Sequence, residues 1–335
     1  MTLIASNPLI TKGVSQPVSF DEFKIEVLND YKLACISREA SLTGRKEVLT
    51  GKAKFGIFGD GKELPQIALA KVFENGDFRA GYYRDQTFAL ATGIVSIEQL
   101  FGQLYANPSL EEDPHSGGRQ MNNHFATRNL FPDGSWKDIK NQKNSAADNS
   151  PTASQMIRAL GLAMASKKYR ELSAQIGENG FSNNGNEICF ATIGDASTSE
   201  GLFWEVVNAG GVLQVPLIIS VWDDGYGISV PKEVQTTKGS ISQVLKGFQR
   251  SGNSNGYDIY VVKGWNYPQL VATYKMAADK TRKTHIPAII HVEELTQPQG
   301  HSTSGSHERY KPAERLQWEK EHDCNLQFKN WILQN

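Results

Sequence analysis

The stretch that decides the fold runs from Asn186 to Ser229 and reads NEICFATIG, DASTSEG, LFWEVVNAGGVLQ, VPLIISVW, DDGYGIS. A short apolar run closes on Gly194 and Asp195, and small residues lead into a segment with helical spacing. A second apolar run, Val215 to Trp222, closes on Asp223, Asp224 and Gly225. Continuous apolar runs of this length predict strands buried on both faces, and the intervening segment predicts a crossover helix. The alternation continues with YDIYVVKG, NYPQLVATYKMAADKTRK and HIPAIIHVEEL. Strands alternating with helices of this length predict an α/β fold, a parallel sheet with helices on both faces.

In such sheets ligands bind beyond the carboxyl ends of the strands. Two of those ends carry acid: Asp195 after the first strand, Asp223 and Asp224 after the second. The 30 residues from Gly194 to Asp224 suffice for one turn, one crossover helix and one neighbouring strand, so the carboxylates face one another across adjacent strand ends. The small residues of GDASTSEG expose backbone N–H groups at a helix start, which suits a phosphate. Carboxylate oxygens beside phosphate oxygens suit Mg²⁺ or Ca²⁺. The pattern reads as a diphosphate held through a divalent metal. An Asp at a strand-to-helix turn also serves as an N-cap, and the pattern does not name the cofactor.

Outward from this centre, residues 1–19 read as an irregular arm. A helix follows, with Phe20, Phe23, Val27, Tyr31 and Cys35 at helical spacing. Residues 52–73 carry a glycine cluster and then Glu63-Leu64-Pro65, a loop entering a helix. Residues 78–93 read as a short buried segment. Residues 106–150 lack periodicity and are rich in turn formers, which in a compact domain marks a functional or disordered stretch. A further helix is expected to open with Ser150 as N-cap and Pro151 at its first position. After Gly300 the chain turns polar and ends on a helix whose Leu326, Phe328, Trp331 and Ile332 need a surface to pack on.

The 335 residues hold 35 Lys+Arg against 36 Asp+Glu, a net charge of −1, which argues against a nucleic-acid or membrane-surface binder. The apolar share is 39%. Counting glycine and leaving out tyrosine gives about 45%, the low edge of the globular range and enough to exclude global disorder. Cys35, Cys189 and Cys324 are far apart with no CxxC spacing, so neither a thiolate zinc site nor a disulfide scaffold is expected, and a reducing cytoplasm fits. No apolar run approaches the ~20 residues of a membrane span, and the N-terminus lacks a basic region ahead of an apolar core. No repeat or low-complexity tract is present. A cytoplasmic protein is the expectation.

Residues 194–229 resemble the thiamin diphosphate motif, which begins Gly-Asp-Gly and closes about thirty residues later on Asn-Asn. More specifically, the chain resembles the alpha subunits of the branched-chain and pyruvate 2-oxoacid dehydrogenases. Four further segments match in order: YYRDQ at 82–86, GRQMNNHF at 118–125, SPTASQ at 150–155 and QGHSTS at 299–304. The resemblance implies a thiamin diphosphate-binding fold. It places the metal ligands at the Asp195 carboxylate, the Asp224 side chain and the Tyr226 carbonyl, for Mg²⁺, Ca²⁺ or Mn²⁺. Tyr83 and Arg84, with amides at Ala196 and Ser197, would contact the diphosphate, and Gly194 would also belong to the cofactor site. Ser150 and Thr152 would lie beside the aminopyrimidine, Ser154 and Gln155 would hold K⁺, and His301 would stand at the reaction centre.

Three positions depart from the family. Ala196 stands where glycine is usual, which is tolerated only if no positive φ is needed. Asp224 replaces the second Asn, and the added charge favours a cation while opposing a diphosphate. Trp222 stands where branched-chain enzymes carry a phosphate-binding Arg, which throws more load on Arg84.

The implied reaction is oxidative decarboxylation of a 2-oxoacid, with the acyl group passing to a lipoyl acyltransferase core. The activating Glu would come from a pyrimidine-binding domain on a beta subunit. The expected division is an N-terminal arm and helix over 1–50, the thiamin diphosphate-binding domain over 51–300, and an active-site loop and C-terminal tail over 301–335. That leaves no room for the pyrimidine-binding domain, so the chain is expected to be inactive alone, as an alpha subunit or the alpha section of an alpha–beta fusion. STSEG and GHSTS lean toward a branched-chain 2-oxoacid. Ser302 and Ser304 lie where some relatives are phosphorylated, and loop hydrogen bonding is the plainer role. The competing readings are a pyruvate dehydrogenase alpha subunit, a transketolase-type fragment, which GRQM and GHSTS oppose, and a non-catalytic relative with weakened cofactor binding.

Overall fold

The computed structural model describes residues 19–335. The irregular arm expected over residues 1–19 lies almost wholly outside them. The main sheet has six strands: β1 (Phe78–Ala80), β2 (Asn144–Ser145), β3 (Cys189–Gly194), β4 (Leu217–Trp222), β7 (Asp258–Lys263) and β8 (Ala288–Glu293). The small strands β5 (Tyr226–Gly227) and β6 (Val230–Pro231) form a separate antiparallel pair. The order across the main sheet is β2-β1-β3-β4-β8-β7, and every pairing is parallel. This is the parallel α/β sheet expected from the alternation.

The side-chain period of two divides each strand between two cores. Phe190, Ile218, Trp222, Ile290 and Val292 face one side, against Leu64, Phe73, Phe88, Leu270 and Tyr274. Ala191, Ile193, Ile219 and Val221 face the other, against Met156, Phe203, Val206 and Leu245. Each fully buried side chain of this size stabilises the fold by roughly 1.5–3 kcal/mol, so the middle strands hold the strand ends rigidly in place. The crossover helix Gly201–Leu213 joins β3 to β4, and the helix Tyr267–Thr284 joins β7 to β8.

The first helix spans Phe20–Leu49, closed at its start by a capping box between Ser19 and Glu22. It departs from the expected apolar face at Phe20. Phe20 is 70% exposed, whereas Phe23 and Tyr31 pack against the core, and the buried residues of the helix are Val27, Ala34, Ser37, Ala40, Ser41 and Gly44. Small residues there let the helix lie close to its neighbours. The C-terminal helix Cys324–Gln334 finds its surface: Phe328 is fully buried, stacked on Tyr267 at 4.2 Å and edge-on to Tyr31 at 5.7 Å.

The expected helix start at Ser150 and Pro151 is wrong. The helix spans Gln155–Glu171, and residues 151–154 form a turn in which the Ser154 N–H donates to the Pro151 carbonyl at 3.2 Å. Ala153 lies in the left-handed region with φ of 62°, which breaks helical continuity, and the Ser150 hydroxyl is engaged by His124 Nε2 at 3.2 Å instead of capping.

Candidate functional site

A cavity of about 370 Å³ opens beyond the carboxyl ends of β1, β3, β4 and β8. Tyr83 and Arg84 reach it from the turn after β1, and Gly194, Asp195, Ala196 and Ser197 from the end of β3. Asp224 and Tyr226 come from the end of β4, Thr152 from the turn before the 155–171 helix, and His301 from the segment after β8. Ten of the expected site residues therefore share one wall. Ser150 does not line it. Ser154 donates to the Pro151 carbonyl at 2.6 Å, and the Gln155 side-chain amide donates to the Thr192 carbonyl at 2.9 Å.

The strand ends are locked to one another. Gly194 pairs with Trp222 in the register of β3 and β4, and the Asp195 N–H donates to the Trp222 carbonyl at 3.2 Å. The Asp223 N–H donates to the Val292 carbonyl at 2.8 Å. The turn after β4 is built from its own aspartates: the Asp223 carboxylate accepts from the Gly225 N–H at 2.8 Å and that of Asp224 from the Tyr226 N–H at 3.2 Å. Gly225, at φ 78°, supplies the left-handed residue this turn requires. Ala196 opens a short 3-10 turn and is not among the left-handed residues, so the missing glycine costs nothing there.

The electrostatics are dominated by three aspartates. Burial, then the charges of Asp223 and Asp224, push the Asp195 carboxyl well above the usual carboxylate range. Burial also pushes Asp223 upward, but hydrogen bonds from His291 and Lys232 outweigh it and hold the group at about 2. For Asp224 the upward push of burial is outweighed by Lys62 and Arg84, and its carboxyl lies below the usual range. Crowded carboxylates on fixed strand ends are the donor set that a hard cation relieves.

Arg84 is buried. One end of its guanidinium donates to the Phe58 carbonyl at 2.7 Å and the other to the His301 carbonyl at 3.0 Å, with the Tyr83 ring 5.2 Å below. Burial, then Arg84, lower the His301 imidazole to about 3, so it is neutral at physiological pH.

Sequence reasoning missed Lys62, Tyr82, Glu200, Gly227, Ile228 and Gln235, all of which line the cavity. The Tyr82 hydroxyl is buried without a hydrogen-bond partner, so a donor waits at the cavity wall. Lys62 could have been found from its place directly after the Gly59-Asp60-Gly61 loop: a lysine entering a helix of buried residues needs an acid. Trp222, flagged as a departure, is fully buried, donates to the Ser220 hydroxyl at 2.9 Å and packs 5.9 Å from the Tyr82 ring.

The GRQMNNHF segment docks on the loop ahead of Lys62. Asn122 both donates to and accepts from the Ile57 backbone, at 2.7 and 3.2 Å, and Asn123 donates to the same carbonyl at 2.6 Å. All three cysteines are free.

The chain is similar to the alpha subunit of 2-oxoisovalerate dehydrogenase from Bacillus subtilis, 26% identical over 285 residues, covering 84% of this chain and 74% of the relative. It is 26% identical over 314 residues to the alpha subunit of the pyruvate dehydrogenase E1 component from Acholeplasma laidlawii, covering 92% of this chain and 76% of that one. A mitochondrial 2-oxoisovalerate dehydrogenase alpha subunit from Arabidopsis thaliana is 26% identical over 290 residues, and the chain spans about half of its length, 52%. The family described as "Dehydrogenase E1 component" matches residues 31–335, and the chain belongs to that family.

Proposed function

We propose that this chain is the alpha subunit, or the alpha section of an alpha–beta fusion, of a thiamin diphosphate-dependent 2-oxoacid dehydrogenase, with a branched-chain 2-oxoacid as the favoured substrate. The observation that carries the reading is the convergence of Tyr83, Arg84, Asp195, Asp224, Tyr226 and His301 on one cavity. The branched-chain preference draws on the 2-oxoisovalerate names of the relatives. A pyruvate substrate is the second reading, favoured by the Acholeplasma relative's 92% coverage of this chain.

The residues present fit the cofactor. The unpartnered Tyr82 hydroxyl is a free donor at the wall, and Asp195 with Asp224 and the Tyr226 carbonyl make an all-oxygen donor set for Mg²⁺, Ca²⁺ or Mn²⁺. Among the described residues no group of three or more His, Cys, Asp or Glu side chains is arranged for a metal. A divalent ion here therefore draws on main-chain and phosphate oxygens as well as on the two carboxylates. When bound, the cofactor supplies a nucleophilic carbon and an electron sink for loss of CO₂.

The chain's own residues supply the rest. Arg84 and Tyr83 stand where the diphosphate charge would lie, with the amides at Ala196 and Ser197 beside them. Neutral His301 offers a ring nitrogen as hydrogen-bond donor or acceptor at the reaction centre without placing a charge there. Thr152 borders the aminopyrimidine end. A K⁺ at Ser154 and Gln155 belongs to the same proposal.

A beta subunit is a proposed partner, drawn from the word "alpha" in the relatives' names, and its activating Glu and a lipoyl acyltransferase core follow from the resemblance to the 2-oxoacid dehydrogenases. A cytoplasmic location rests on the Bacillus relative. No helix among the described residues is long and apolar enough to cross a membrane. Assaying the chain with a beta partner on 2-oxoisovalerate, pyruvate and 2-oxoglutarate tests the proposal. Turnover favouring 2-oxoisovalerate supports it, and a pair that binds the cofactor yet decarboxylates none of the three points to a non-catalytic relative.

A further inference from the structure

Lys62 is fully buried at the entrance to the helix Glu63–Lys71, and its ammonium reaches into the cavity from the side of β8. An ammonium has three donors. Here all three are used: on Asp224 Oδ2 at 2.6 Å, on the Thr296 carbonyl at 3.1 Å and on Gln297 Oε1 at 2.7 Å. The acceptors belong to two separate elements, the turn after β4 and the segment between β8 and His301. Gln297 is itself held, donating to the Asp60 carbonyl at 3.2 Å, and Asp60 Oδ2 accepts from the Gln299 N–H at 3.1 Å. The loop can approach so closely only because Gly61 lacks a side chain: a Cβ there would stand 2.2 Å from the Thr296 carbonyl oxygen, at a φ of 83°.

The three strand-end aspartates thus divide their charge. Asp223 is matched by Lys232 at 3.1 Å and hydrogen-bonded to the His291 ring, and Asp224 is matched by Lys62, while Asp195 faces the cavity. With its donors spent, Lys62 does not reach out to grip a ligand. Its charge instead cancels that of Asp224, which would otherwise repel a bound anion.

We propose that Lys62 is a positioning residue of this pocket: its ammonium neutralises Asp224 so that the pocket accepts a diphosphate beside two carboxylates, and it ties the His301 segment to the end of β4. The proposal deepens the cofactor reading and rests on it. Removing the cation and removing the anion should move anion affinity in opposite directions, and removing both should restore it.

The test is calorimetric titration of the full chain with inorganic pyrophosphate alone and Mg²⁺ alone. Lys62→Met should lower pyrophosphate affinity about tenfold and raise Mg²⁺ affinity, and Asp224→Asn should do the reverse. The double substitution should return pyrophosphate affinity to within about threefold of the unsubstituted chain. If Asp224→Asn leaves pyrophosphate affinity unchanged or lowers it, or if the double substitution binds as weakly as Lys62→Met, the pairing is overturned. Should Lys62→Met fail to fold, folding of the double substitution supports the pair, and its failure while Asp224→Asn folds overturns it. Thiamin diphosphate with Mg²⁺ titrated into the unsubstituted chain, alone and with a beta partner, separates the two ideas: no binding in either setting defeats the cofactor reading, while the pyrophosphate and folding results still judge Lys62.

Discussion

The Arg84 guanidinium donates to the main-chain carbonyl of His301 at 3.0 Å, across 217 residues of sequence. Its other terminal nitrogen holds the Phe58 carbonyl at 2.7 Å, so one buried fork joins the turn after β1, the loop before Lys62 and the segment carrying His301. Arginine can do this because its donors are planar and fixed in direction. Lysine, a point donor on a flexible stem, cannot span both carbonyls. Arg84→Lys should therefore weaken thiamin diphosphate binding by about tenfold or more despite keeping the charge, and should increase proteolysis within residues 299–305. Unchanged affinity and unchanged cleavage would show that the fork does not position the segment.

Tyr82 carries a hydroxyl that the protein itself leaves unpartnered. A buried hydroxyl with no partner adds nothing to the ligand-free fold, so Tyr82→Phe should leave its stability unchanged or raise it by about 1 kcal/mol. Cofactor affinity should fall about fivefold in the same variant, because a donor to the bound anion is lost. Chemical unfolding and calorimetry on one preparation read both effects. A loss of stability without a loss of affinity would place the hydroxyl in the fold and not in the site.

His301 sets a pH dependence whose sign is fixed. Its imidazole lies at about 3 in the fold against 6.5 for free histidine, because burial and then Arg84 outweigh the attraction of Asp224. Between those two values the unfolded chain binds the proton and the folded chain does not, so this group costs stability progressively as pH falls below 6.5. Above 6.5 its contribution is flat. His301→Gln should flatten the acid limb of the stability curve and leave the neutral plateau in place. Urea midpoints measured across that range test this, and equal acid slopes in the two proteins would contradict it.

Phe328 anchors the C-terminal helix between Tyr267 and Tyr31. Phe328→Ala should cost about 3–5 kcal/mol in urea unfolding, the usual range for a fully buried phenylalanine. A loss below about 1 kcal/mol would mean that the helix adds little to the fold.

The sheet was readable because strands such as Cys189–Gly194 and Leu217–Trp222 are buried on both faces and are mostly apolar, with the buried hydroxyls of Thr192 and Ser220 partnered by Asp85 and Tyr274. The acidic strand ends followed from the spacing of Asp195 and Asp224. What escaped was set by tertiary contact. The helix start moved from Ser150 to Gln155 because the Ser150 hydroxyl is engaged by His124, a partner 26 residues away, and because Ala153 is left-handed. The place of Lys62 ahead of a buried helix called for an acid, but not for which one, because its partners Asp224 and Gln297 lie 162 and 235 residues further on. Tyr82 was hidden by Tyr83, since a pair of tyrosines does not show which hydroxyl is free.

The proposed function requires the cavity to hold thiamin diphosphate through a divalent ion on Asp195. Isothermal titration of the cofactor with and without Mg²⁺, into the chain and into its Asp195→Ala variant, tests it most directly. Mg²⁺-dependent binding to the chain is expected, with a loss of more than about a hundredfold in the variant and the variant's thermal unfolding no lower than that of the chain. Binding that is indifferent to Mg²⁺, or that survives Asp195→Ala, would contradict it.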